Sequence, residues 1–257
     1  MATAKGSSIV LPRTRKQRKR VKRKVKIREK WKAMKTKKLK EKANVTPLVT
    51  KYWLQRYDLF SKYDAGIKMD EEGWFSVTPE EIAARQARRF AGAGVVIDAF
   101  AGVGGNAIQF AKVIVRCHHV VAIEIDPKKV ALAFHNAKIY GVQDQIDFIV
   151  GDFFQLAPFL KGDVVFLSPP WGGPSYKAKE NFTLDLLKPK DGHSLFQAAQ
   201  AITPNIVMFL PRNVDVLQAS ELSWLSSPPL DIEMEENLVR GRLKGITVYF
   251  RDTMLCA

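Results

Sequence analysis

Residues Val164-Val165-Phe166-Leu167 are four large apolar side chains in a row, and Ser168-Pro169-Pro170-Trp171 follows them without a break. Such a run, half of it β-branched, reads as a short strand buried on both faces, as in parallel sheets. Two successive prolines cannot continue a hydrogen-bonded ladder, because neither has an N–H to donate. The strand must therefore stop beside Leu167, and a stiff turn must carry Trp171 beyond its carboxyl end. Open α/β sheets bind ligands at that end. Packing alone has little use for a large ring on a proline-stiffened turn, so the segment reads as part of a binding site.

The chain around this strand alternates between the two regular structures. Val95–Asp98, Val120–Glu124, Gln145–Val150 and Asn205–Leu210 read as further strands, with helices expected from Asn106 to about Val115 and from Pro127 to Tyr140. Leu230–Glu235 and Gly245–Arg251 read as a terminal antiparallel pair. This order predicts an α/β fold with a doubly wound, mostly parallel, seven-stranded sheet. Before it, Tyr52–Phe60 is aromatic-rich and helix-compatible. Thr78 is expected to cap a helix with Pro79 in its first position and Glu81 completing a capping box, running to about Phe90.

Charge divides the chain. Residues 1–42 carry 19 Lys and Arg against Glu29 and Glu41, a net of +17, whereas residues 43–257 carry 22 against 24 acids, a net of −2. The block Lys16–Lys26 is too dense in like charge to fold alone in water. The expected organisation is a basic, disordered tail (1–44), a helical extension contributing to the site (45–91) and a core (92–257). The tail suits RNA phosphates or the nuclear import machinery, and so a nuclear or nucleolar protein, with the cytoplasm as the alternative. Cys117 and Cys256 are too few for a disulfide framework, and no apolar run approaches a membrane span. No cluster has metal-ligand spacing; His118-His119 reads as surface at the start of a strand, and His135 and His193 as structural or exposed.

Asp98-Ala99-Phe100-Ala101-Gly102-Val103-Gly104-Gly105-Asn106 puts a carboxylate at the end of the first strand and glycines where a ligand approaches backbone. Glu124 ends the second strand, 22 residues after Gly102, placed for two ribose hydroxyls. Gly151-Asp152-Phe153 ends the third, with a polar group and an apolar face for an adenine. Gly102-x-Gly104-x-x-Ala107 also satisfies the dinucleotide fingerprint. Asp98, four residues before the first glycine, would repel a pyrophosphate and suits the cationic amino and sulfonium groups of S-adenosylmethionine. The Ser168–Trp171 turn, of no evident use to a nicotinamide enzyme, points the same way.

A Ser/Asn/Asp-Pro-Pro-aromatic turn resembles the one by which many methyltransferases hold an exocyclic base nitrogen. From about Lys51 to Asp252 the chain resembles the trimethylguanosine synthases, which methylate N2 of a 7-methylguanosine cap. The resemblance is carried by Tyr57–Ser61, Gly73–Glu80, Asp98–Phe110, Gly151–Phe153, Phe166–Pro174 and Leu210–Asn213. It implies a class I S-adenosylmethionine-dependent methyltransferase fold and a capped RNA substrate. Trp171 would stack on the 7-methylguanine with Ser76 on its other face. Ser168 and the Pro169 carbonyl would orient N2, Asn136 would contact the base and Arg212 the cap phosphates. Phe60, Thr78, Asp98, Ala99, Gly102, Gly104, Glu124, Ile125, Asp152 and Phe153 would form the cofactor site. Glu124 stands where an aspartate is expected in relatives. A monomer is expected. The alternatives are methylation of adenine N6 or another exocyclic base nitrogen, and an inactive cap- or RNA-binding module.

Overall fold

The computed structural model describes residues 49–90, 92–113 and 119–252. The basic tail, His118 and both cysteines lie outside them, with the expectations attached to each. Residues 51–257 form one compact unit, and everything below concerns it together with Thr50, which opens its first helix.

The helix-compatible run after Lys51 is broken into two single turns, α1 (Thr50–Trp53) and α2 (Arg56–Leu59), with the Arg56 guanidinium 4.0 Å above the Trp53 ring. α3 (Gly73–Ser76) and α4 (Glu80–Arg88) follow. The capping box expected at Thr78 is not formed: Pro79, with ψ 137°, is itself the residue before the helix, and no side chain caps it. Thr78 is instead buried. Glu80, favourably placed against the helix dipole, accepts hydrogen bonds from the Ser61 backbone N–H, the Ser61 hydroxyl at 3.0 Å and the Tyr140 hydroxyl at 2.8 Å.

Then comes the expected alternation: β1 (Val95–Asp98), α5 (Gly105–Val113), β2 (His119–Glu124), α6 (Pro127–Tyr140), β3 (Ile146–Val150), α7 (Phe153–Leu156) and β4 (Val164–Leu167). α8 (Gly192–Gln200), β5 (Ile206–Pro211), α9 (Val216–Glu221), β6 (Asp231–Val239) and β7 (Arg242–Arg251) complete the unit. α6 has the bounds that its ends dictate. The Asp126 carboxylate accepts the Lys128 N–H at 2.8 Å, Pro127 fills the first position, and Gly141 takes the left-handed conformation (φ +74°) that stops the helix.

All seven strands form one sheet in the order β3-β2-β1-β4-β5-β7-β6. The first five run parallel to their neighbours, and β7 lies antiparallel between β5 and β6. The expected terminal pair is thus present, and longer than expected. Polar Asn237, Arg242 and Lys244 hide its extent, and Arg240-Gly241 (φ +51° and +71°) makes the tight turn whose twist suits a hairpin. Both faces of the sheet are covered. Val96, Phe166 and Val207 pack on one side with Ile82 and Ile108; Ile97, Leu167 and Met208 pack on the other with Leu195 and Phe196. This is why the central strands are apolar throughout. The strand order reverses between β1 and β4, where Asp98 pairs in register with Phe166. A crevice opens beyond the carboxyl ends of strands at such a switch point.

Candidate active site

At the end of β1, Asp98 is fully buried beneath the glycine loop, and neither carboxylate oxygen has a well-formed hydrogen-bond partner. Burial pushes its pKa up to about 7; the nearby backbone N–H groups of Phe100 and Ala107 offset part of this, and the charge of Glu124 adds to it. One oxygen of Glu124 accepts the Gly102 N–H at 2.9 Å and the other accepts the Asp126 N–H at 3.0 Å. The loop between them needs its glycines. Gly102 is left-handed (φ +53°), and a Cβ on Gly105 would lie 2.5 Å from Val77 Cγ2. Past β3, Asp152 accepts the Phe154 N–H at 2.9 Å, which starts α7 and leaves its second oxygen free of that bond.

On the other side of the switch point, the proline turn sets Trp171 against Tyr176 and Phe209. Ring centroids are 5.3 Å apart in both pairs, the first edge-on at 82° and the second tilted at 58°. Two flanking rings fix the indole while leaving it half-exposed. The Ser168 hydroxyl reaches the Phe100 carbonyl only at 3.4 Å, so it loosely ties the proline turn to the glycine loop.

These elements enclose a cavity of about 510 Å³. Ala99, Gly102, Glu124, Ile125, Asp152 and Phe153 line its wall on the β1–β3 side. Ser168, Pro169 and Trp171 line the wall beyond β4, and Ser76 and Thr78 belong to a third wall after α3. Asp98 and Gly104 lie behind the first wall; a Cβ on Gly104 would meet Ala133 Cβ at 3.1 Å, so that glycine allows the loop to close on α6. Phe60 is buried in the core against the Tyr140 ring, 6.3 Å centroid to centroid. Asn136 is also wholly buried. Its amide accepts the Lys68 N–H at 2.9 Å and donates to the carbonyls of Lys68 and Val103 at 2.9 and 3.0 Å, bracing the segment before α3. Arg212, just past β5, is exposed and outside the lining.

Sequence reasoning missed Tyr52, Phe75, Phe209 and Lys129, all of which line the cavity. Lys129 had a legible signal, because a cation in the first turn of a helix opposes the dipole. It is ion-paired to Glu72 and lies 3.9 Å from Asp70. Burial disfavours its charge, but the Glu72 hydrogen bond and the two carboxylates outweigh burial and raise its pKa.

The donor set suits a ligand with neighbouring hydroxyls at Glu124 on the cavity wall, and the carboxyl of Asp98 behind that wall favours a cationic ligand over an anionic one; S-adenosylmethionine provides both features. A buried carboxylate with no partner of its own is a poor neighbour for a pyrophosphate.

Residues 93–253 match the family described as RNA cap guanine-N2 methyltransferase. The chain is 42% identical over 215 residues to trimethylguanosine synthase of Schizosaccharomyces pombe, covering 80% of this chain and 87% of that one. It is 37% identical over 211 residues to trimethylguanosine synthase of Saccharomyces cerevisiae, covering 76% of this chain and 65% of that one. Among solved structures it is similar to a candidate methyltransferase from Porphyromonas gingivalis W83, with a TM-score of 0.61, 16% identity, and 79% of this chain and 48% of that one covered. It is also similar to an O-methyltransferase from Bacillus cereus in complex with SAH, with a TM-score of 0.53, 13% identity, and 81% and 92% covered. These two likenesses concern the fold.

Proposed function

The chain belongs to the RNA cap guanine-N2 methyltransferases, and from that premise we propose how its cavity holds and aligns a 7-methylguanosine cap. The enzyme uses S-adenosylmethionine to methylate guanine N2 in RNA caps. We further propose that it adds two methyl groups, as the name of the two yeast relatives suggests. The observation carrying the reading is one cavity that joins two acid-ended strands to a proline-stiffened tryptophan.

In this reading Trp171 stacks on the base, with Ser76 on the opposite wall. Ser168 Oγ and the Pro169 carbonyl accept the N–H bonds of the exocyclic amine. Arg212 meets the cap phosphates at the mouth, while Asn136 and Phe60 act from behind the walls. Asp98 and Glu124, with Thr78, Ala99, Gly102, Ile125, Asp152 and Phe153, hold the cofactor, which supplies an electrophilic methyl group. The N2 lone pair is delocalised into the ring and is a poor nucleophile. The protein's main contribution is therefore alignment, for which effective molarities correspond to at most ~7–11 kcal/mol. No general base is needed, because the amine gives up its proton to water once it carries the new methyl group. Asp98 stands behind the cavity wall and acts on the cofactor through its charge.

The basic run of residues 1–42 supports binding to RNA phosphates and a nuclear location. Adenine-N6 methylation and an inactive binding module find no support in the family match. The test is a mass spectrum of a 7-methylguanosine cap dinucleotide incubated with enzyme and S-adenosylmethionine. Successive gains of one and two methyl groups on the guanine are expected. No gain, or methylation of the second base, would overturn the reading.

A further inference from the structure

Beyond the cavity mouth lies a band of cations of which the chemistry above uses only Arg212. Lys177 lines the mouth, with its ammonium 5.9 Å from the Tyr52 ring and 5.5 Å from the Tyr176 ring. Arg212 follows Pro211, which pairs in register with Gly245, so Arg212 and Lys244 sit side by side where β5 meets β7. Lys244 donates to the Gln55 side chain at 3.2 Å and sits at a bulge in β7, where Asn237 pairs with Gly245 and Leu238 with Leu243; Arg242 lies two residues along, close enough for its charge to act on Lys244. The band ends at the hairpin turn, where Arg240 pairs with Asp58 at 2.6 Å. Among the described residues, Lys177, Arg212, Arg242 and Lys244 take part in no ion pair. They also act on one another. Burial lowers the pKa of Lys177, and the charges of Lys51, Arg212 and Lys244 lower it further; burial also lowers that of Lys244, where the Asp58 carboxylate pulls the other way and Arg242, Arg212 and Arg240 add to the lowering.

Among the described residues Asp58 is the acid that acts on this band, and like charges in excess on a folded surface are costly unless a polyanion meets them. Half-exposed Tyr52 lies beside the band, at Lys177. Cations interleaved with rings form a platform for single-stranded nucleic acid. We propose that Lys244, Arg242 and the Arg240-Gly241 turn hold the backbone of the first nucleotides downstream of the cap. This rests on the cap reading, since a cap seated on Trp171 sends its RNA out through the mouth that Lys177 lines. The contacts are to phosphates, so the track reads strand and charge but no base sequence. An acidic peptide would satisfy the charges alone, but would lack both the continuity with the cap and the use for the rings.

The experiment compares the full-length protein with the double variant Arg242→Gln/Lys244→Gln on two substrates. One is a 7-methylguanosine-capped, unstructured ten-nucleotide RNA; the other is the cap dinucleotide, which carries the bridging phosphates but no phosphodiester beyond its one nucleoside. The variant should lose about tenfold in kcat/KM on the RNA, chiefly through KM, and less than twofold on the dinucleotide. The salt dependence of RNA binding should flatten by ~1.4 in log–log slope, because two phosphates are no longer neutralised. Arg242→Lys/Lys244→Arg should restore both. If the double variant misfolds, Arg242→Glu at its exposed position gives the same comparison. Equal losses on the two substrates, or none on either, would overturn the track. Should the wild type methylate neither substrate, the cap reading fails, and the binding slope still decides the track.

Discussion

Glu124 holds the Gly102 N–H at 2.9 Å with one carboxylate oxygen and the Asp126 N–H at 3.0 Å with the other. The acid that ends β2 therefore fixes the glycine loop after β1 before any ligand arrives, and its remaining lone pairs are aimed by that fixation. Substituting it should weaken the cofactor site twice, by removing hydrogen bonds to the ligand and by loosening the loop. A charge-assisted hydrogen bond is worth ~1.5–3 kcal/mol, so Glu124→Ala should weaken S-adenosylmethionine binding by roughly tenfold to a hundredfold. Glu124→Gln keeps one acceptor and should fall between. Isothermal titration measures both; wild-type affinity in Glu124→Ala would remove Glu124 from the cofactor site.

The second prediction concerns Asp98. Its folded pKa of about 7 lies above the ordinary 3.8 because the carboxyl is buried, and the backbone N–H groups of Phe100 and Ala107 offset only part of that cost. The folded protein thus keeps a proton that the unfolded chain gives up between those values. This group's contribution to stability is greatest below pH 3.8 and declines as pH rises to about 7. A cation binds the ionised form, so the signs for stability and for cofactor binding are opposite. Affinity for S-adenosylmethionine should rise with pH up to about 7, by as much as ~10-fold per unit on the acid side, and then level off. Asp98→Asn should bind weakly and show no such rise. A wild-type affinity independent of pH between 5.5 and 8 would refute the role.

The parallel half of this fold was legible because its strands are apolar on both faces and its breaks are explicit. Pro169-Pro170 ends β4, Asp126-Pro127 opens α6 and Gly141 closes it. The first turns were less legible. Thr78-Pro79 has the composition of a cap, but Pro79 stays extended and Thr78 is buried beside the cavity. The cavity lining was legible where it depends on one residue at a strand end, as at Glu124 and Trp171, whereas Asp98 stands behind the wall. It was not legible where distant segments meet. Lys129 makes sense only once Glu72, 57 residues earlier, is folded against it, and Asn136 looks like a surface amide until Lys68 and Val103 surround it.

A third prediction tests the buried polar chain that ties α4 to the cofactor loop and the terminal hairpin. Asn106 donates to Gln86 at 2.8 Å, Gln86 donates to Thr247 at 2.9 Å, and Asn237 donates to the same Thr247 hydroxyl at 2.7 Å. Gln86, Asn237 and Thr247 are fully buried, and Asn106 nearly so. Gln86→Leu keeps the volume but strands the Asn106 amide, at a cost of ~1–3 kcal/mol. Thermal unfolding should show a clear loss of stability, and Asn106→Ala added to it should cost less than it does alone, since its partner is already gone. Strict additivity would show that the two side chains act separately.

The last prediction is the order of methylations: N7 before N2. N7 methylation puts a delocalised positive charge on the guanine ring. Trp171, gripped by Tyr176 and Phe209 at 5.3 Å each, offers that ring an indole that cannot turn away. A cation over such a face gains ~0.5–2 kcal/mol beyond neutral stacking, and about 1.4 kcal/mol is already tenfold in a binding constant. Poorer alignment of N2 against the cofactor would add to the loss in rate. The 7-methylated cap dinucleotide should therefore be preferred at least tenfold in kcat/KM over its unmethylated counterpart. Trp171→Phe should retain stacking but narrow that preference, because the smaller ring attracts a cation less, and Trp171→Ala should abolish turnover while leaving cofactor affinity nearly intact. Equal kcat/KM for the two caps in the wild type would show that Trp171 does not read the charge.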